Sequence, residues 1–152
     1  MSLGSWCRQV LGFLAAPYWR RTTMFTDPAG PIESFTWARF VIAGQVHGGP
    51  PPGTGAGKDI RLVGTEVTAW TDRVGHRLDI AMITGVFDRG LEALILGLGA
   101  NRAIDCPPEV VAEIRRRGIP QVELADTVAA CRRYNELFRQ GRKVGLLAHG
   151  TC

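Results

Sequence analysis

The chain has few of the residue patterns that mark metal-binding, secreted or membrane-spanning proteins. Its 152 residues include four cysteines, which lie far apart and form no CxxC pair, so neither a zinc site nor a disulfide framework is predicted. No apolar run approaches the roughly 20 residues that a helix needs to cross a bilayer. These absences lead us to expect a soluble protein of a reducing, cytoplasmic compartment, without membrane insertion.

A dense basic tract is also missing, although 18 basic residues outnumber 14 acidic ones and give a formal net charge of +4. The basic residues are scattered, and this excess favours only a weak attraction to anions. The run Arg115–Arg117 has no interleaved aromatic residue and stands where a helix end would favour arginine. We therefore expect no nucleic-acid partner.

The first 26 residues contain no acidic residue, but they hold three arginines and a short apolar run from Val10 to Tyr18. Two interpretations remain open. The segment is either a presequence that directs the protein to the mitochondrial matrix or an extension ahead of a true start at Met24. We expect residues 1–33 to form a disordered or targeting-like extension and residues 34–152 to form a single domain.

The front half of that domain has strand character interrupted by turn residues. Apolar residues between Phe35 and Gly44 predict one strand, and the glycine- and proline-rich segment from Gly44 to Asp59 predicts an exposed loop. The stretch from Ile60 to Trp70 predicts two short strands around a turn at Gly64.

The second half alternates strand and helix patterns. We predict helices over Asp79–Arg89, after Pro107 as far as Gly118, and from Asp126 to Gly141. The runs LEALILGLG, Pro120–Leu124 and KVGLLAHG predict the intervening strands. Such alternation usually folds as a parallel or mixed sheet flanked by helices, so the fold class is α/β.

The loop GTGAGKD, Gly53 to Asp59, looks at first like a phosphate-binding loop. That motif requires a serine or threonine after its lysine, because the hydroxyl binds magnesium, and Asp59 stands there instead. We interpret the segment as a solvated linker.

The loop GLGANR, Gly97 to Arg102, is the better candidate for a ligand, since it follows a predicted buried strand and precedes a helix. The amides of Gly97 and Gly99 could hold a small anion together with Arg102, whereas the plainer interpretation is a tight turn packed on the sheet. Trp70, His76 and His149 complete the predicted set of ligand-binding residues. No catalytic residue, metal ligand or cofactor is predicted.

The remaining cysteines, histidines and tryptophans each allow a functional and a structural interpretation. Cys106 precedes a predicted helix, whose dipole could favour a thiolate, but a buried structural cysteine is the alternative. His47, His76 and His149 are dispersed and are expected at the surface or at sheet edges, while Cys131 is expected in the core. Trp37 and Trp70 could form a partner-binding surface or pack beneath the last helix.

Three segments of the second half read DRGLEALILGLG, PPEVVAEIRRRGI and YNELFRQGRKVGLLAHGTC. With the Lys58–Asp59 pair and TEVTAW around Trp70, they resemble the adipogenesis-associated Mth-domain-containing proteins, whose chains also end in H-x-T-C. The likeness covers about residues 34–152, and the same domain occurs in a mitochondrial assembly factor for respiratory complex I. It implies a three-layer fold in which helices flank a mixed central sheet and the amino-terminal half adds a β-hairpin.

The resemblance implies a family whose biochemical activity is not established. It favours a non-enzymatic binding module of a regulatory or assembly type, which contacts a protein partner through its strand surface and exposed loops. The alternative is an enzyme or sensor for a small anionic ligand bound at Gly97–Arg102.

Overall fold

The computed structural model describes residues 23–152, which form two β-sheets and two α-helices. The strands are β1 (Thr23–Thr26), β2 (Ile32–Thr36), β3 (Arg39–Ile42), β4 (Gln45–Gly48), β5 (Asp59–Val63), β6 (Glu66–Ala69), β7 (Ala93–Gly97), β8 (Gln121–Ala125) and β9 (Val144–His149). The helices are α1 (Pro108–Arg116) and α2 (Thr127–Arg139).

Strands β1 to β4 form an antiparallel sheet in sequence order. The predicted single strand from Phe35 to Gly44 is wrong, because a turn at Trp37 and Ala38 divides it into β2 and β3. The predicted loop after it also contains β4. The two-residue turn Ala43–Gly44, with both residues at positive φ, is the type that joins antiparallel strands, so this glycine belongs to a hairpin.

The amino-terminal boundary of the folded part lies earlier than predicted. Strand β1 pairs with β2, and β2 itself begins at Ile32, so residues from Thr23 onward belong to the sheet instead of to an extension that ends at residue 33. Phe25 and Ile32 are buried in the core, which gives this segment a hydrophobic reason to pack. The predicted presequence or extension over residues 1–22 lies outside the described residues.

The second sheet is mixed, with the strand order β6-β5-β9-β7-β8. Strand β7 runs parallel to β8 and β9, and β5 runs antiparallel to β9 and β6. The two helices are the crossovers of a strand-helix-strand-helix-strand unit that ends in β9. The α/β class with a mixed central sheet is therefore confirmed, and the amino-terminal addition is a four-stranded sheet, which is larger than a hairpin.

The central sheet is covered on both faces, as the continuous apolar run of β7 predicts. Ala93 and Ile95 belong to one core cluster, together with the first sheet and α2. Leu94 and Leu96 belong to another, which contains Val110 of α1 and buried residues of the 70–91 segment. All five residues of β7 are buried. The sheet that contains β7 is therefore the middle layer, with α2 and the first sheet on one face and α1 with the 70–91 segment on the other.

The predicted helix over Asp79–Arg89 is wrong, because only Ile80–Met82 forms a single 3-10 turn. Of the four apolar residues on which the prediction rested, Ile83 and Val86 are buried, whereas Ile80 and Phe87 are half-buried. Two backbone carbonyls of this segment are bonded by side chains from outside it. The indole of Trp70 donates to the Met82 carbonyl at 2.7 Å, and the Arg61 guanidinium donates to the Thr84 carbonyl at 2.6 Å. These bonds replace those that a helix would make internally.

Helix α2 packs against strands of both sheets, and one buried side chain joins it to the first sheet directly. The Oδ1 atom of Asn135 accepts from the Ile32 amide at 2.9 Å, and its Nδ2 donates to the Ile32 carbonyl at 2.8 Å. Asp126, where the last predicted helix starts, is the N-cap of α2, because its carboxylate accepts from the Ala129 amide. Within residues 23–152, neither helix has the length and apolar character needed to span a membrane.

Candidate functional site

The segment Gly150–Cys152, which follows β9, runs between the two sheets. The Gly150 carbonyl accepts a hydrogen bond of 2.6 Å from the Ala38 amide in the β2–β3 turn. A Cβ atom on Gly150 would overlap the carbonyl oxygen of Lys58, so only glycine allows this close approach. The segment is thus held between the β2–β3 turn of the first sheet and the start of β5.

Asp59 and His149 form a pair at the point where this segment begins, with the His149 side chain 3% and the Asp59 side chain 14% exposed. Strands β5 and β9 are antiparallel with Asp59 opposite His149, and the His149 Nδ1 atom lies 2.7 Å from Asp59 Oδ1. The same Oδ1 accepts from the Gly150 amide at 3.1 Å, and Oδ2 accepts from Arg73 at 3.0 Å. Burial alone would raise the pKa of Asp59, but the hydrogen bonds from His149, Gly150 and Arg73 lower that pKa to about 2.

The Cys152 thiol lies between two imidazoles. Its Sγ atom is 3.6 Å from His149 Nε2 and 3.6 Å from His76 Nε2. A carboxylate at neutral pH has no proton to give, so His149 donates through Nδ1 to Asp59 and its Nε2 is left as the acceptor. The Thr151 hydroxyl, 2.9 Å from Nε2, shares that acceptor with the thiol.

The loop after β7 holds the backbone of Thr151 and Cys152. The Ala100 amide donates to the Thr151 carbonyl at 2.7 Å, and the amides of Asn101 and Ala103 donate to the Cys152 backbone oxygen at 3.0 and 3.1 Å. Gly99 has a φ of +98° and no space for a Cβ beside the Cys152 carbonyl carbon. The loop predicted to bind an anion thus binds the chain's own last two residues.

The structure brings together only part of the predicted ligand-binding set. His76 and His149 meet at Cys152, and Gly99 contacts the same residue through its backbone. Gly97 lies within the ladder of β7, and the Gly99 amide donates to the Thr127 hydroxyl at 3.0 Å, so neither amide is open to an anion. Ligand binding at these residues stays a prediction.

The side chains of the other two members of that set make no hydrogen bond with the thiol. Trp70 is 3% exposed and belongs to the second core cluster, where its indole is bonded to Met82. Arg102 is exposed, adopts a φ of +56° and makes no side-chain hydrogen bond with any residue between 23 and 152.

Sequence reasoning missed Asp59, Arg73 and Cys152 as members of one cluster. The Lys58–Asp59 pair and the H-G-T-C ending were each recognised as marks of the family resemblance. What joins them is the antiparallel register of β5 and β9, and no local pattern encodes a pairing between residues 90 positions apart.

The histidines and the other cysteines are not all where the patterns placed them. His149 is 2% exposed and lies on the central strand β9, so the expectation of a surface or edge histidine is wrong for it. His47 lies on the edge strand β4, although its side chain is buried, and His76 is exposed. Burial, with Asp105 and Glu109 nearby, raises the pKa of Cys106 to about 11, so the reactive thiolate considered there is not formed. Cys131 is fully buried, as predicted.

No three histidine, cysteine, aspartate or glutamate side chains from residue 23 onward are grouped as a metal site requires.

An apolar pocket of about 530 Å³ lies between the β2–β3 turn, the end of β4 and the loop that precedes β5. It is lined by Trp37, Ala38, Gly48, Gly49, Pro50, Pro52, Gly53, Gly57 and Lys58. Trp37 is 40% exposed, which is high for a residue that is normally well buried. The Lys58 ammonium is exposed and makes no hydrogen bond or ion pair with any described residue. The pocket joins an apolar wall to one unpaired positive charge.

Two backbone connections join the pocket to the cluster formed by Asp59, His149 and Cys152. Ala38 lines the pocket and bonds to Gly150, and Lys58 lines it while the next residue, Asp59, bonds to His149. The first sheet, the second sheet and the segment after β9 all contribute to this region.

Several solved structures share this fold. A conserved hypothetical protein, PH1505, from Pyrococcus horikoshii OT3 is 18% identical, with a TM-score of 0.63 over 80% of this chain and 98% of that one. A protein described as an outer membrane protein from Bartonella henselae is 20% identical, with a TM-score of 0.63 over 86% and 100%. The protein MT938 is 19% identical, with a TM-score of 0.59 over 86% and 100%. At these identities the likeness concerns the fold.

A family model matches residues 32–149, which includes β2 and every later helix and strand. That range contains Trp37 in the β2–β3 turn, Lys58 just before β5 and Asp59 at the start of β5, and it ends at His149. The chain belongs to the protein family of unknown function DUF498/DUF598.

Proposed function

We propose that this domain is a non-enzymatic binding module of the regulatory or assembly type. The observation that carries the proposal is the apolar pocket in which Trp37 stays exposed beside the unpaired Lys58. A volume of about 530 Å³ is within the range of pockets that enclose a side chain or a small ligand. The adipogenesis-associated branch of the family, with its protein partners, is the finer assignment that the H-G-T-C ending favours.

The backbone next to Trp37 is held in one conformation. Ala38, the next residue, adopts a φ of +61°, and its backbone is bonded on both sides, to the Gly150 carbonyl and from the Gly49 amide at 2.7 Å. A preorganised aromatic side chain loses little entropy when a partner binds. Tryptophan is also enriched among the residues that contribute most binding energy at interfaces.

The charge of the pocket indicates what its partner offers. No acidic residue lines it, and Lys58 lacks a partner among residues 23–152. A protein segment with an aliphatic or aromatic side chain next to a carboxylate would fill the apolar wall and pair with Lys58. Complementary charge of this kind contributes mainly to specificity and to the rate of association.

The proposal is tested with fluorescently labelled peptides that place phenylalanine or leucine next to glutamate, each matched by a glutamine version. We expect the acidic peptides to bind more tightly, and Trp37→Ala to weaken binding by more than about tenfold. Lys58→Gln should abolish the preference for glutamate and leave the apolar contribution.

Val74→Ala is the matched control, because Val74 is a large apolar residue that is 71% exposed and does not line the pocket. Its affinity should equal that of the wild type. Equal binding by wild type, Trp37→Ala and Lys58→Gln would contradict the proposal.

The alternative, an enzyme or sensor for a small anion at Gly97–Arg102, has less support. The Gly99 amide that would bind the anion already binds Thr127, and the amides of Ala100 and Asn101 in the same loop bind Thr151 and Cys152.

A further inference from the structure

The binding module makes no use of the buried Asp59–His149 pair or of the thiol beside it. Cys152 is not an isolated cysteine, because it is the nucleophile in a chain of contacts that continues to a base and then to a group that orients the base. Sγ faces His149 Nε2, and His149 Nδ1 faces the Asp59 carboxylate. Recognition of an activated thiol depends on this arrangement of roles.

The base is preorganised. His149 is 2% exposed, and Asp59 is itself held by the Gly150 amide and by Arg73. The tautomer of His149 is set by Asp59, so the Nε2 lone pair points toward the Thr151 hydroxyl and the Cys152 thiol. Asp59 is a positioning residue, because it acts through His149.

The thiol is also held in place and remains reachable. Its backbone oxygen accepts from the amides of Asn101 and Ala103. Cys152 is half-buried, and His76 on its other side is exposed. A small molecule can therefore approach Sγ from the side of His76.

The surroundings favour one class of reaction. Acyl transfer needs amide donors for an oxyanion, but the neighbouring amides of Gly99, Ala100 and Gly150 are bonded to Thr127, Thr151 and Asp59. Thiol–disulfide exchange forms no oxyanion. It requires a thiol whose proton can be accepted nearby and a proton donor for the leaving thiolate.

The geometry points to Cys152 as a thiol that undergoes reversible exchange with low-molecular-weight disulfides. Sγ attacks one sulfur of the disulfide while its proton passes to His149 Nε2. A new S–S bond forms, the old S–S bond breaks, and the leaving thiolate takes the proton from His149. The disulfide is the oxidant, and one of its halves departs as the reduced thiol.

The test measures formation of the mixed disulfide with oxidised glutathione on the intact protein, resolved by residue with mass spectrometry. A synthetic peptide of residues 144–152 gives the rate of the same thiol without the fold. We expect Cys152 in the protein to react at least about tenfold faster than in the peptide. Cys106, whose pKa burial raises to about 11, is the slow internal reference.

His149→Gln should bring the rate of Cys152 close to that of the peptide. Because this buried substitution could also unfold the domain, His76→Gln provides a second, exposed variant that should slow exchange without loss of structure. Thr151→Val removes the competing hydroxyl at nearly constant volume, so it should keep or increase the rate.

A Cys152 rate in the wild type no higher than that of the peptide would overturn the inference. So would a rate that neither His76→Gln nor His149→Gln changes, or one that Thr151→Val lowers. None of these outcomes depends on the Trp37 pocket, so this inference and the binding proposal can fail independently.

Discussion

At the scale of single residues, Asp59 is bonded through its side chain to three other residues. Its carboxylate bonds to His149 on β9, to Gly150 after it and to Arg73 after β6. A buried carboxylate is stable only when such donors replace water. The family resemblance pointed to this residue through the Lys58–Asp59 pair, but its partners follow only from the folded register.

The first prediction concerns acid stability. Hydrogen bonds lower the pKa of Asp59 from 3.8 to about 2, so the unfolded state takes up its proton first as the pH falls. The stabilisation is fully present above pH 3.8 and is lost as the pH falls toward 2. In urea titrations, the difference in unfolding free energy between wild type and Asp59→Asn should shrink by about 2 kcal/mol between pH 5 and pH 2.

Glu113→Gln is the control for that measurement. The pKa of Glu113 is also lowered to about 2, by Arg116 and Arg117, but these charges lie at the surface of α1 and are screened by water. A pH dependence of Asp59→Asn no different from that of Glu113→Gln would show that the Asp59–His149 pair contributes nothing to folding.

At the scale of elements, the segments with regular periodicity could be predicted and those defined by distant partners could not. The continuous apolar run and glycine boundaries of β7, the prolines at the start of α1 and the Asp126 cap of α2 all lie within a few neighbouring residues. The 79–89 segment has helical spacing, yet its carbonyls accept hydrogen bonds from Arg61 on β5 and from Trp70, which follows β6. Strand β4 was missed because glycine and proline surround it, while its pairing with β3 depends on a two-residue turn.

The loop after β7 gives an element-scale prediction. Gly99 and Gly118 have similar backbones, at φ of +98° and +107°, but a Cβ would overlap Cys152 at Gly99 and meet nothing within 4 Å at Gly118. Gly118→Ala should lower the free energy of unfolding by about 1–2 kcal/mol, from backbone strain alone. Gly99→Ala should cost about 1–3 kcal/mol more, from overlap with the last residues, as measured by urea denaturation.

The glutathione exchange rate supplies the second readout for this pair. Gly99→Ala should slow the reaction of Cys152, because it displaces the backbone that positions the thiol, while Gly118→Ala should leave the rate unchanged. Equal losses of stability in the two variants would mean that the loop does not hold Thr151 and Cys152 closely.

At the scale of the whole molecule, the candidate sites lie where two sheets meet, so the stability of that joint supports both. Helix α2 packs on both sheets. Ile32 pairs with Ile42 of β3 but with no residue of β1, and Asn135 bonds both its amide and its carbonyl. The sequence placed Asn135 on a helix but gave no sign of this contact with a residue 103 positions away.

Asn135→Leu tests this joint. Leucine has a similar volume but leaves the buried amide and carbonyl of Ile32 without partners, which should lower the free energy of unfolding by about 3 kcal/mol. Arg132→Ala, an exposed change on the same helix, should stay within about 0.5 kcal/mol of the wild type. A neutral Asn135→Leu in urea denaturation would show that apolar packing alone joins the sheets.

The central claim is that the pocket beside Trp37 binds a protein segment, and it is tested most directly by mapping where such a segment lies. An NMR titration of the ¹⁵N-labelled protein with the acidic phenylalanine peptide observes every site at once. The account predicts shifts concentrated at the Trp37 indole and at the amides of Gly48, Gly49 and Lys58, with none at Val74. Shifts elsewhere on the surface with the Trp37 indole unmoved, or no shift at saturating peptide, would contradict it.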